Sequence, residues 1–148
     1  MRISTKGRYG LRAMLDLAIN SHGDHVPLKS IAERQDVSES YMEQVFSALR
    51  KAGLVKSVKG PQGGYILAVN PSNITIGDIL RVLEGTLSVV DENNEEAARN
   101  NDVERCLTEK VWNLINESIN GIVDSITLED LMQEYKKMNN NKAIMYYI

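Results

Sequence analysis

The groups in this sequence best suited to chemistry are neither nucleophiles nor metal ligands but polar side chains between positions 38 and 62. Ser38, Ser40, Tyr41, Glu43 and Gln44 stand close together. At the start of a helix lying in a major groove, such a set reads base edges: a Gln amide addresses the adenine edge bidentately, a Glu carboxylate accepts from the cytosine amine, and hydroxyls serve bases or phosphates. The run Lys59-Gly60-Pro61-Gln62-Gly63-Gly64 makes a slender polar finger with Lys59 and Gln62 near its tip, suited to the adjacent minor groove. Its glycines permit close backbone approach and positive φ. Arg2, Lys6, Arg8, Arg50, Lys51 and Lys56 complete the set as phosphate ligands, supplying the salt-dependent, sequence-blind part of binding.

Other chemistries find little support. Cys106 is the single cysteine of 148 residues, so it has no internal disulfide partner and no paired-cysteine zinc motif exists. The two histidines, His22 and His25, sit together near an early turn. Neither a nucleophile elbow, a P-loop nor an HExxH motif is present, so no enzyme is expected. The net charge of -3 hides an asymmetry: residues 1–68 carry ten basic and six acidic groups, residues 69–148 seven basic and fourteen acidic. Such a split suits a basic segment that meets a polyanion. With 43% hydrophobic residues the chain can build one core and some interface. The N-terminus lacks an apolar signal region and no apolar run reaches membrane-spanning length, so a cytoplasmic location and no membrane contact are expected.

The elements that must position these groups follow from periodicity. Apolar residues from Tyr9 to Ile19 predict a first helix over about 5–21; Leu28, Ile31 and Ala32 mark a short second helix. Ser38 is a good N-cap for a third helix ending near Ala52, with Tyr41, Met42, Val45, Phe46 and Leu49 as its buried stripe. Two helices joined by a short turn form a helix-turn-helix. Leu54–Val58 and Tyr65–Ala68 read as a hairpin around the glycine-rich finger. The expected class is mainly α with a small β-hairpin wing: a winged helix-turn-helix domain over 1–85, then a flexible acidic loop over 86–101. Beyond these lie a dimerisation helix and a C-terminal helix over 102–138, and a tail over 139–148. Helix 102–122 carries Val103, Leu107, Val111, Leu114, Ile115, Ser118 and Ile122 on one stripe. Its own domain leaves little to cover that stripe, and pairing with a second copy both satisfies it and matches two operator half-sites. The alternative is that it folds back onto the first helix.

The segments MRISTKGRYGLRAMLDLA, LKSIAERQDVSESYMEQVFSALRKAGLVKSVKGPQGGYILA, ITIGDILRVLEG and SITLEDL, in that order and spacing, resemble the Rrf2 family of bacterial transcription regulators. The resemblance covers nearly the whole chain. It implies a dimeric winged helix-turn-helix regulator on a dyad operator in double-stranded DNA, with similar use of the serine and glutamate positions after Ser38. One branch of the family regulates iron–sulfur-cluster assembly and holds a [2Fe-2S] cluster on three cysteines and a histidine. RCLTEKVW resembles its last cysteine region, which puts Cys106 at the third cysteine, Asn100 and Asn94 at the other two, and Glu109 at the histidine. Three of four ligands are therefore absent, and neutral amides are poor donors to a cluster. No cofactor is expected, and Cys106 is left as a candidate redox thiol. The other branch represses cysteine-metabolism genes, lacks the cluster and ends in an aromatic, methionine-containing tail closed by isoleucine, as IMYYI does here. That likeness implies docking of Tyr146, Tyr147 and Ile148 into cysteine synthase, the tail carboxylate imitating an amino-acid substrate. Packing of the same residues on the dimer is the competing reading. The expected function is repression of cysteine or sulfur metabolism under control of that enzyme, with a cluster-sensing regulator as the alternative.

Overall fold

The computed structural model describes residues 2–91 and 99–146. Three helices meet where the apolar stripes predict. Ser4 accepts a hydrogen bond from the Gly7 N–H and starts α1 (Thr5–Asn20). After α2 (Leu28–Gln35), Asp36 takes a left-handed conformation, φ 55°, ψ 51°, and the Val37 N–H reaches back to the Ala32 carbonyl. Ser38 then caps α3 (Glu39–Lys51) by accepting from the Tyr41 N–H. Met14 and Leu17 of α1, Ile31 of α2, and Met42, Val45, Phe46 and Leu49 of α3 are fully buried together. They put a continuous apolar floor beneath the polar side of α3.

Gly53, at φ 81°, ends α3, with its N–H on the Arg50 carbonyl. The chain then forms β1 (Val55–Val58) and β2 (Gly64–Leu67), antiparallel with Val55 opposite Leu67 and Val58 opposite Gly64. Val26, in the link between α1 and α2, adds an isolated antiparallel bridge to β2. It exchanges two backbone hydrogen bonds with Tyr65, at 2.8 and 2.9 Å. A Cβ at position 64 would run into the Val26 carbonyl, so the glycine there serves internal packing. Of the three finger glycines only Gly60 has positive φ, 117°.

A 3-10 turn (Pro71–Asn73) leads to α4 (Ile76–Glu84), which opens with a reciprocal capping box between Thr75 and Asp78. The chain after α4 departs from the flexible loop expected from residue 86. Leu87 is 5% exposed, packed with Ile76 and Leu80. Asn116 accepts from the Val89 N–H at 2.9 Å and donates to Ser88 Oγ at 3.2 Å. Its first residues are held because an apolar side chain and a paired amide fix them; 92–98 fall outside the described residues. Then come α5 (Asp102–Leu107), a π-helical turn (Thr108–Trp112) and α6 (Asn113–Ser125). Thr127 and Asp130 repeat the reciprocal cap before α7 (Leu128–Tyr146). This last helix runs eight residues past Met138, where the sequence suggested an end. The segment Asn139–Met145 holds neither Gly nor Pro, and Asn in a helix interior costs only a fraction of a kcal/mol, at most about 0.7.

Candidate nucleic-acid interface

The four buried residues of α3 leave its other side free. Ser38, Ser40, Glu43 and Gln44 are exposed at its N-terminal end, and Arg50 and Lys51 at its C-terminal end. Tyr41 is half-buried against the core, its ring edge-on to Tyr9 at 6.3 Å between centroids. It is a packing residue with one face left over. The Tyr9 contact brings the early turns of α1 beside the first turn of α3. Arg2, Lys6 and Arg8 are exposed on that part of α1 and the segment leading into it.

Lys56, Lys59 and Gln62 are exposed on the wing. The finger is closed by the Gly63 N–H on the Gly60 carbonyl at 2.9 Å. The His25 ring contacts the Gln62 carbonyl, leaving the Gln62 side chain outside that contact.

One constellation escaped the sequence reading. Asp16 lies in the apolar run of α1 and is only 5% exposed. Arg34 Nε approaches both its carboxylate oxygens, at 3.2 and 3.0 Å, and Nη2 donates to Oδ1 at 2.8 Å. Gln35 Nε2 donates to Oδ2 at 2.8 Å. The hydrogen bonds Arg34 donates to Asp16, opposed in part by burial, hold its guanidinium pKa above its ordinary value. Gln35 Oε1 accepts from Arg12 Nε at 3.1 Å, and the Gln35 main-chain carbonyl from Arg12 Nη2 at 3.3 Å. The signal available beforehand was a charge on a buried face, which needs a partner.

The expected stripe on the long helix is uncovered in the single chain. Val103 is 70% exposed and Ile122 61%, and Leu107, Leu114 and Ile115 are exposed too; Val111 is half-buried. A different side of α6 packs on α4 through Ile119 and Val123. There Arg81 holds Asp124 at 2.6 and 2.9 Å and Asn120 at 2.8 Å. The Arg81 hydrogen bond, against a smaller desolvation effect, keeps the Asp124 carboxyl below its ordinary range. Cys106 is exposed on α5. Asn100 and Glu109, aligned with cluster ligands, are exposed as well, and Asn94 lies outside the described residues. Among the described residues no three His, Cys, Asp or Glu side chains gather as a metal site. A set with one thiolate does not fit an iron–sulfur cluster. Tyr146 ends α7, while Tyr147 and Ile148 lie outside the described residues. Among the described residues no helix is long and apolar enough to cross a membrane.

Comparison with known proteins agrees with this geometry. The family model Rrf2, described as iron-dependent transcriptional regulator, matches residues 3–134. HTH-type transcriptional regulator CymR of Bacillus subtilis (strain 168) is 46% identical over 151 residues, with the whole of both chains covered. The solved structure of CymR (YrzC), the global cysteine regulator of B. subtilis, superposes with a TM-score of 0.74 at 46% identity, covering 90% of this chain and 98% of the other. That of T. potens IscR gives 0.73 at 47% identity, covering 93% and 90%. A helix-turn-helix with an anchored wing, an exposed polar edge on α3 and this degree of identity leave one assignment: the chain belongs to the Rrf2 family and is a DNA-binding transcriptional regulator, not an enzyme.

Proposed function

We propose that two copies of this chain bind a dyad operator and repress genes of cysteine or sulfur metabolism, with a partner enzyme setting occupancy. The observation that carries the reading is α3: one side fully buried, the other presenting Ser38, Ser40, Glu43 and Gln44. A helix fixed in this way is a rigid reader for a major groove. In this reading Gln44 and Glu43 address bases, with Ser38, Ser40 and the free face of Tyr41 beside them. Lys59 and Gln62 follow the minor groove, and Arg2, Lys6, Arg8, Arg50, Lys51 and Lys56 hold phosphates. The exposed face from Val103 to Ile122 is covered by the second copy, which sets two readers on one side of the duplex.

The cysteine regulon is favoured over cluster sensing by the 46% identity to CymR over the full chain and by the unsuitable ligand set. The likeness to T. potens IscR favours the second reading. A brown preparation whose visible absorbance is lost on oxidation would establish it and overturn ours. Tyr146, Tyr147 and Ile148 are assigned to cysteine synthase: deleting Tyr147 and Ile148 is expected to abolish binding to that enzyme, and unchanged affinity would reject the docking. The decisive experiment is selection of bound sequences from random duplexes, with and without cysteine synthase. Enrichment of a two-fold symmetric sequence is the expected result; no enrichment at low salt sinks the proposal.

A further inference from the structure

Arg12 is exposed and basic and lies near the candidate interface, so charge counting alone would make it a phosphate ligand. Its guanidinium is committed elsewhere. Nε and Nη2 fork onto Gln35, one to the side-chain oxygen at 3.1 Å and one to the main-chain carbonyl at 3.3 Å. Gln35 is the last residue of α2, where carbonyls lack intrahelical partners and the helix dipole favours a cation. The same guanidinium lies 4.6 Å from the Tyr9 ring centroid, and that ring meets Tyr41 in the first turn of α3. On its other side Gln35 donates to buried Asp16. Arg12 thus touches, directly or through Tyr9, both ends of the 36–38 turn that sets the angle between α2 and α3.

We infer that Arg12, with Gln35 as its partner, is a positioning residue that fixes the recognition helix relative to α1, and is not a phosphate contact. The inference rests on the DNA-binding reading above. Gln35 suits the task because one amide can accept from Arg12 and donate to Asp16 at once, which neither a carboxylate nor an aliphatic chain does. Lysine at position 12 would preserve the charge and lose the planar fork and the stacking.

The test uses the full chain, the duplex most enriched from a random pool, and an unrelated duplex of equal length, titrated over a salt series. Arg12→Lys and Arg12→Met are expected to lower the preference for the enriched duplex alike, by about tenfold, which is about 1.4 kcal/mol. Affinity for the unrelated duplex and the salt slope are expected to stay at wild-type values. Loss of fold stability alone would weaken both duplexes together and would not change their ratio. Gln35→Met is expected to reproduce the loss and to add little to Arg12→Met, as a shared interaction requires. Lys51→Ala serves as contrast, lowering the slope by about one unit with the ratio preserved. A wild-type ratio in Arg12→Lys overturns the inference, because charge would then suffice. So does a slope lowered by about one unit in Arg12→Met, the mark of a lost phosphate contact. If the wild-type chain prefers no duplex, the DNA-binding reading itself falls; if it discriminates and Arg12→Lys does too, only the positioning role falls.

Discussion

At the scale of single residues, the reading edge and its support make different demands. Gln44 is exposed on α3, so Gln44→Ala is expected to leave the melting temperature unchanged. In binding, it is expected to lose about 1–3 kcal/mol of discrimination at one base position, seen as relaxed preference in a repeat of the selection. Asp16 is the opposite case. Asp16→Ala removes the acceptor of Arg34 and Gln35. Arg34, whose side chain is 41% exposed, can turn to water. The expected cost is therefore about 1–3 kcal/mol by thermal unfolding, short of the 3–5 kcal/mol typical when a fully buried partner is stranded. Asp124 supplies a pH signature. Because Arg81 lowers its folded pKa, the pair adds stability at pH above the unfolded value of about 3.9, and loses it as pH falls through the folded value. Wild-type stability is expected to drop more steeply than that of Asp124→Asn in acid. Both side chains are substantially exposed, so the difference is small and shrinks with added salt; parallel acid profiles would refute it.

Elements were the most legible level. Ser38, Thr75 and Thr127 cap where polar residues precede apolar stripes, and the hairpin register follows from a glycine-rich finger between alternating runs. The π turn was not legible, although its cause is in the spacing. Val103, Leu107, Val111 and Ile115 recur every four residues. Each step overshoots a 3.6-residue turn by about 0.4 residue, about 1.2 residues over three steps. One π turn, bonded i→i+5, absorbs about one residue and keeps this face in line. The half-buried residues Glu104, Thr108, Trp112 and Asn116 share the same spacing on the inner side. Deleting exposed Glu109 from the turn is expected to give a plain α-helix in the same phase, with the same oligomeric state by light scattering. Deleting Glu117 from the regular helix rotates everything before it by about 100° and is expected to leave monomers. A monomeric Glu109 deletion beside a dimeric wild type would show that the turn does more than correct phase.

For the whole molecule, the basic N-terminal and acidic C-terminal parts separate by role: the former carries the candidate interface, the latter the uncovered helix face. Pairwise wiring such as Asp16–Gln35–Arg12 stayed out of reach of sequence reasoning, because it depends on which turn of one helix lies over which turn of another. Where the last helix ends was equally hidden, since seven residues without a helix breaker carry no stop signal. Proportional dissociation by dilution, followed with the enriched duplex, is expected to give binding that rises with the square of monomer concentration below the dimer constant; a first-power dependence would mean that single chains suffice.

The bridge between Val26 and Tyr65 has a mechanical consequence. It rivets the hairpin to the strut ahead of α2, so finger and reader move as one tool with a fixed offset between their tips. On the proposed DNA-binding reading, such a tool is expected not to adjust to a duplex of the wrong groove width. Sequences that never touch a side chain are then expected to be sorted by how readily their backbone conforms to it.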